Sequence, residues 1–110
     1  MDLAPQLTPA QAGEALRDEG AIAVDVREPE EWHAGHMDGS VWIPLGDLAA
    51  RAGELPRDQP LLIVCRTGAR SGYAADALVA AGYEARNLAG GLQQWVAAGL
   101  PLEPAGGVVL

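Results

Sequence analysis

Cys65 is the only cysteine of the chain, and it stands in Cys65-Arg66-Thr67-Gly68-Ala69-Arg70-Ser71. One thiol followed by two arginines that flank a glycine, at the end of the apolar run Leu61–Val64, has the makings of a nucleophile. A helix follows the loop, and its first turn carries unpaired N–H groups and the positive end of the helix dipole. If the loop curls over the sulfur, successive amides form an anion nest. Gly68 allows the backbone angle such a curl needs. A nest of this kind favours thiolate over thiol. It also holds an anionic substrate group, with Arg66 or Arg70 assisting. The competing reading is a small buried hydrophobe, the commoner fate of a lone cysteine. The two arginines at a strand end favour the reactive one.

No histidine is well placed by spacing. His33 and His36 lie in a separate short helical region, so a Cys–His protease is weakly supported. A thiolate held by amides needs no base, and that suits attack on sulfur or phosphorus. With one cysteine there is no internal disulfide and no thiolate metal site, and a reducing cytoplasm is the expected compartment.

The elements around the loop can be read from local signals. Thr8-Pro9-Ala10-Gln11 has the form of an N-cap, an N1 proline and a capping-box glutamine, opening a helix to about Arg17. Residues 21–26, AIAVDV, read as a buried strand. A turn and short helix occupy 27–36, closed by Gly35. A short strand at 40–44 ends at Pro44, and 45–55 reads as helical, with Asp47 near its start. Residues 61–65 are apolar without alternation, the mark of a strand covered on both faces. A helix is expected over 71–81, ended by Gly82 in the left-handed position. A strand at 84–88 and a helix from Gly90-Gly91 to Ala98 complete the pattern. Strands alternating with short helices predict an α/β layer fold with a mostly parallel sheet.

The chain has 110 residues, the size of one domain. A net charge of −8 argues against a nucleic-acid partner. The basic residues are all arginine, so no lysine amine is available for Schiff-base chemistry. The longest apolar runs are too short to cross a bilayer, and MDLAPQL lacks the form of a secretory leader. Residues 105–110 read as a loosely held tail.

Three segments, in order, resemble the single-domain rhodanese (thiosulfate sulfurtransferase) family. AVDVREPEEWHAGHMDGSVWIPL, 23–45, is similar to its first signature. LLIVCRTGARSGYAADAL, 61–78, is similar to its active-site strand, loop and helix. AGYEARNLAGGLQQWVAAGLP, 81–101, is similar to its closing strand and last helix. The resemblance implies one rhodanese domain over 1–110 with its core at 8–104. It implies a three-layer fold, a mostly parallel five-stranded sheet with helices on both faces. It implies sulfur transfer through a persulfide on Cys65, with no metal or organic cofactor. The sulfur donor would be thiosulfate or a similar small molecule, and the acceptor cyanide or a cellular thiol. Arg66, Thr67, Gly68, Ala69 and Arg70 would bind the donor and the persulfide anion through their amides and side chains.

Alternatives stay open. A carrier would take sulfur from a protein partner. Phosphatase or arsenate reductase chemistry would use the same loop, but the related phosphatases carry one more residue in it. Cys65 to Arg70 inclusive is six residues, the sulfurtransferase length. A non-catalytic binding module is disfavoured because the cysteine is present. Asp25 either arranges an arginine near the loop or accepts loop amides as a structural group, and the second is preferred. The Ser71 hydroxyl is expected either to donate to the loop, supporting it from behind, or to help begin the helix. Arg27 and Glu31 stand four apart, a spacing that allows an ion pair. His36 reads as fold support, Trp32, Trp42 and Trp95 as packing, and Asp76 as a solvated face.

Overall fold

A computed structural model describes residues 3–110. Residues 1 and 2 of the expected domain lie outside the described part. Five strands, β1 (Gln6–Leu7), β2 (Ile22–Asp25), β3 (Val41–Trp42), β4 (Leu61–Val64) and β5 (Ala85–Leu88), form one sheet in the order β1-β5-β4-β2-β3. Every pairing is parallel. The helices are α1 (Pro9–Asp18), α2 (Pro29–Ala34), α3 (Leu48–Arg51), α4 (Ala69–Ala80) and α5 (Gly91–Ala97).

All four residues of the central strand β4 are buried, as its unbroken apolar run requires. Alternate side chains go to opposite faces. Leu61, Ile63 and Cys65 join a core with Ala74, Ala75 and Leu78 of α4, and with Leu48 and Leu55. Leu62 and Val64 join Ala12 of α1 and Leu92 and Trp95 of α5 on the other side. This is the expected three-layer α/β arrangement.

The connection from β2 runs outward to β3, while that from β4 runs the opposite way to β5. The crevice at the carboxyl ends of β2 and β4 is therefore a topological switch point, where open parallel sheets place their ligands. Cys65 follows β4 immediately.

Local signals hold well. Thr8 caps α1 with the capping box formed to Gln11. Gly82 takes the left-handed conformation, φ +93°, just past the end of α4. Three expectations are corrected. The helix expected over 45–55 is one α-turn flanked by 3₁₀ turns at Leu45–Asp47 and Ala52–Glu54. Asp47 and Arg51 have ψ near zero, which breaks the helical path on either side of α3. Helix α4 begins at Ala69, two residues before the expected start, because Gly68 at φ +97° turns the chain straight into it. The tail at 105–110 is tied down: the Val108 amide donates to Ala34 O at 2.9 Å, and Val109 packs on the α1/α5 core.

No helix of the described residues is long and apolar enough to cross a membrane.

Candidate active site

The loop after β4 wraps the Cys65 sulfur. The Gly68 amide donates to Sγ at 3.1 Å and the Ser71 amide at 3.4 Å. The Ser71 hydroxyl stands 3.2 Å from the same sulfur. Cys65 itself is only 1% exposed. Burial pushes its pKa up, but the Ser71 hydroxyl and the amides of Ser71, Gly68 and Thr67 outweigh it, and the thiol lies below its ordinary value.

The loop can aim its amides inward because its carbonyls are engaged outside. The amides of Leu92 and Gln93, in the first turn of α5, donate to Cys65 O at 2.8 Å and Arg66 O at 3.0 Å. The helix thus satisfies its own unpaired donors while fixing the loop. This approach depends on Gly91: a Cβ there would lie 2.4 Å from Arg66 O. Gly68 is equally constrained, since a Cβ at its positive φ would stand 3.2 Å from Leu88 O.

The predicted donors divide into two groups. Thr67, Gly68 and Ser71 face the sulfur. The amides of Arg66, Ala69 and Arg70 make no hydrogen bond to Sγ itself among the described residues.

The two arginines also differ. Arg66 is exposed, and its guanidinium makes no ion pair among the described residues. Arg70 is held in a fork by Glu31, with Nη1–Oε1 at 2.7 Å and Nη2–Oε2 at 2.8 Å. The hydrogen bond from Arg70 lowers the Glu31 pKa against the opposing effect of burial. The Arg27–Glu31 ion pair suggested by spacing does not form. Arg27 is fully buried and binds Asp25 instead, with Nη2–Oδ2 at 2.7 Å. Its guanidinium also donates to the carbonyls of Glu31 and Gly35, so it anchors α2.

Asp25 accepts the Arg27 amide as well. No hydrogen bond joins Asp25 to the Cys65 loop among the described residues. Neither expectation for Asp25 is met as stated: it arranges an arginine, Arg27, but at the β2–α2 turn and not at the Cys65 loop. His36 donates from Nδ1 to Trp32 O at 2.9 Å and stacks on Trp32. Asp76, expected to be solvated, accepts the Ala4 amide at 2.8 Å.

One site residue escapes sequence reading. Asn87 of β5 is buried, its Oδ1 lies 2.6 Å from the Ser71 hydroxyl, and its Nδ2 donates to Gly68 O at 3.1 Å. The only signal was a polar residue in an otherwise buried strand.

A groove of about 450 Å³ lies between the 45–54 segment and α4, and none of its lining residues belongs to the loop. Its lining side chains are apolar apart from Tyr73.

The model of the rhodanese-like domain family matches residues 8–98. The chain belongs to this family. The rhodanese-like domain is 35% identical over 88 residues to the thiosulfate sulfurtransferase GlpE of Pseudomonas syringae, covering 79% of this chain and 83% of that protein. It is 38% identical over 79 residues to YrkF of Bacillus subtilis, named as a candidate sulfur carrier protein, covering 71% of this chain and 43% of that one. A crystal structure of a rhodanese-related protein from Thermoplasma volcanium superposes with a TM-score of 0.84 at 30% identity, covering 89% of this chain and 96% of the other. Against two further curated relatives, from B. subtilis and Mycobacterium tuberculosis, the chain spans 60% and 40% of their lengths.

Proposed function

We propose that the protein is a sulfurtransferase that carries sulfur as a persulfide on Cys65. The observation behind this reading is the set of donors gathered on one buried sulfur at the switch point of a parallel sheet. In the first half-reaction the Cys65 thiolate attacks the outer sulfur of thiosulfate or a similar donor. The donor S–S bond breaks, and its electron pair leaves on sulfite. In the second, a cellular thiolate or cyanide attacks the outer sulfur of the persulfide, and the pair returns to Cys65 Sγ. The cycle is ping-pong. Exposed Arg66 is the cation that meets an anionic donor. Arg70 stiffens the loop through Glu31. A lone catalytic thiol fits a reducing, cytoplasmic setting.

A phosphoryl group would ask the loop arginine for its planar fork. That fork is occupied by Glu31, which favours sulfur over phosphorus.

The carrier reading has one supporting observation, the likeness to YrkF. In that case the sulfur arrives from a protein persulfide, and thiosulfate is a poor donor.

Intact-mass measurement after thiosulfate treatment tests the proposal. The expected result is a gain of one sulfur, removed by cyanide with release of thiocyanate, and both absent in Cys65→Ser. An unchanged mass with thiosulfate and a gain with a protein persulfide donor would select the carrier. No gain with either, or persistent turnover in Cys65→Ser, would overturn the assignment.

A further inference from the structure

Ser71 has one hydroxyl proton and two acceptors within reach. Asn87 Oδ1 is 2.6 Å away, and Cys65 Sγ is 3.2 Å away. The carboxamide orientation is fixed independently: Nδ2 must face Gly68 O, which can only accept. Nδ2 also donates to Gln6 Oε1 at 2.8 Å. Oδ1 is therefore left facing the serine. All three residues, Cys65, Ser71 and Asn87, are buried, with Asn87 the most exposed at 3%. In so dry a place a polar group left without its partner is costly.

We propose that Asn87 is a positioning residue: through the single hydroxyl proton of Ser71, for which it competes with Cys65, it sets how readily the reacting sulfur ionises and leaves. The inference rests on Cys65 being the reacting sulfur. When Cys65 is a thiol, Sγ–H donates to Ser71 Oγ, and Oγ–H donates to Asn87. When Cys65 is a thiolate, it has no proton to give, and the Ser71 hydroxyl turns to it. Asn87 Oδ1 then loses its donor, so the amide restrains ionisation. In the persulfide the negative charge moves to the outer sulfur, Sγ is bonded and neutral, and the hydroxyl returns to Asn87. When an acceptor attacks that outer sulfur, the S–S electron pair comes back to Sγ and the hydroxyl turns again. No proton is transferred, only the direction of one hydrogen bond.

The charged groups around the loop are Arg66 on the loop, Arg70 on α4, Glu31 on α2 pairing Arg70, and Glu28 at the start of α2. None is altered in the test variants below.

The test needs no sulfur donor, so it is independent of whether thiosulfate is a substrate. Cys65 is the sole thiol, and its ionisation can be followed by thiolate ultraviolet absorbance. In the native protein the Asn87 side-chain amide resonances should titrate with the same midpoint as Cys65. In Ser71→Ala that titration of Asn87 should disappear. Asn87 resonances that stay flat, or that still titrate in Ser71→Ala through the charge alone, would overturn the proposal. Asn87→Ala supplies the second arm. Its shift of the Cys65 midpoint should be lower by about half a unit to one unit when Ser71 is present than in the Ser71→Ala background, the scale of one neutral hydrogen bond. Equal shifts in both backgrounds would mean that Asn87 acts only by bracing Gly68, and would overturn it as well. The resonance arm stands even if Asn87→Ala does not fold.

Discussion

Glu31 reaches from α2 to grip both terminal nitrogens of Arg70, 39 residues later, at 2.7 and 2.8 Å. The same carboxylate accepts the Glu28 amide at 3.1 Å. It thus closes the start of α2 and pins the start of α4. The arginine that a motif reading offers to the substrate is already engaged, and Arg66 is left as the cation at the mouth.

Arg66→Ala should raise KM for thiosulfate by about two- to fivefold with little change in kcat, the scale of one exposed charge contact. Arg70→Ala should instead lower kcat and thermal stability, because it frees the loop from α2. Steady-state kinetics on both variants decides this. Equal KM effects would show that both arginines touch the donor.

Acid should release the same clamp. The Glu31 pKa is lowered by Arg70, so its contribution is fully present above the unfolded carboxyl value of about 4.3 and is lost as pH falls through the lower folded value. Urea unfolding midpoints followed from neutral to acid pH should drop more steeply for the native protein than for Glu31→Gln. Parallel curves would mean that the pair contributes nothing.

Alkylation of Cys65 should accelerate with rising pH, with a midpoint below the ordinary thiol value of about 8.5. The same depression makes stability rise with pH between the folded midpoint and the unfolded value. It is fully present above the unfolded value and lost as pH falls through the folded one. Cys65→Ala should lack this rise. A native midpoint at or above the ordinary value would show that burial wins over the loop donors.

Gly91→Ala should destabilise the fold by about 2 kcal/mol, the scale of a forced overpacking, and return the Cys65 midpoint toward its ordinary value. The added methyl would strike Arg66 O and displace the loop. Gly46→Ala is the control: no atom lies within 4 Å of its added Cβ, and the change should stay within about 0.5 kcal/mol. Denaturant unfolding with thiolate absorbance on each variant checks both.

Asp25→Ala should cost about 3–5 kcal/mol, because it leaves Arg27 charged, buried and unpaired. The folded fraction should keep the native Cys65 midpoint, since Asp25 does not touch the loop. A shifted midpoint in that fraction would restore a role for Asp25 at the site.

What the sequence reveals follows the range of the forces involved. The cap at Thr8 and Gln11, the apolar run of β4 and the glycine after α4 act within a few residues, and each can be read directly. Cys65 is legible because strand, glycine and arginines are contiguous. Arg27 is misread because two neighbours compete for it: Glu31 at helical spacing, and Asp25 two residues back in a buried turn where the pair is shielded from water. Asn87 is invisible for a deeper reason. Its importance comes from the parallel pairing that sets β5 between β1 and β4, opposite Gln6 and Ile63, and nothing near residue 87 encodes that neighbourhood.

The lone sulfur lies beneath its own backbone, with almost none of its residue open to water. Two copies of the chain, each with its sulfur recessed in this way, should therefore form covalent dimers only slowly in air. Peroxide, being small, can still enter. Its damage would show as added oxygen on single chains, and a prior load of persulfide would take that oxidation in place of the cysteine.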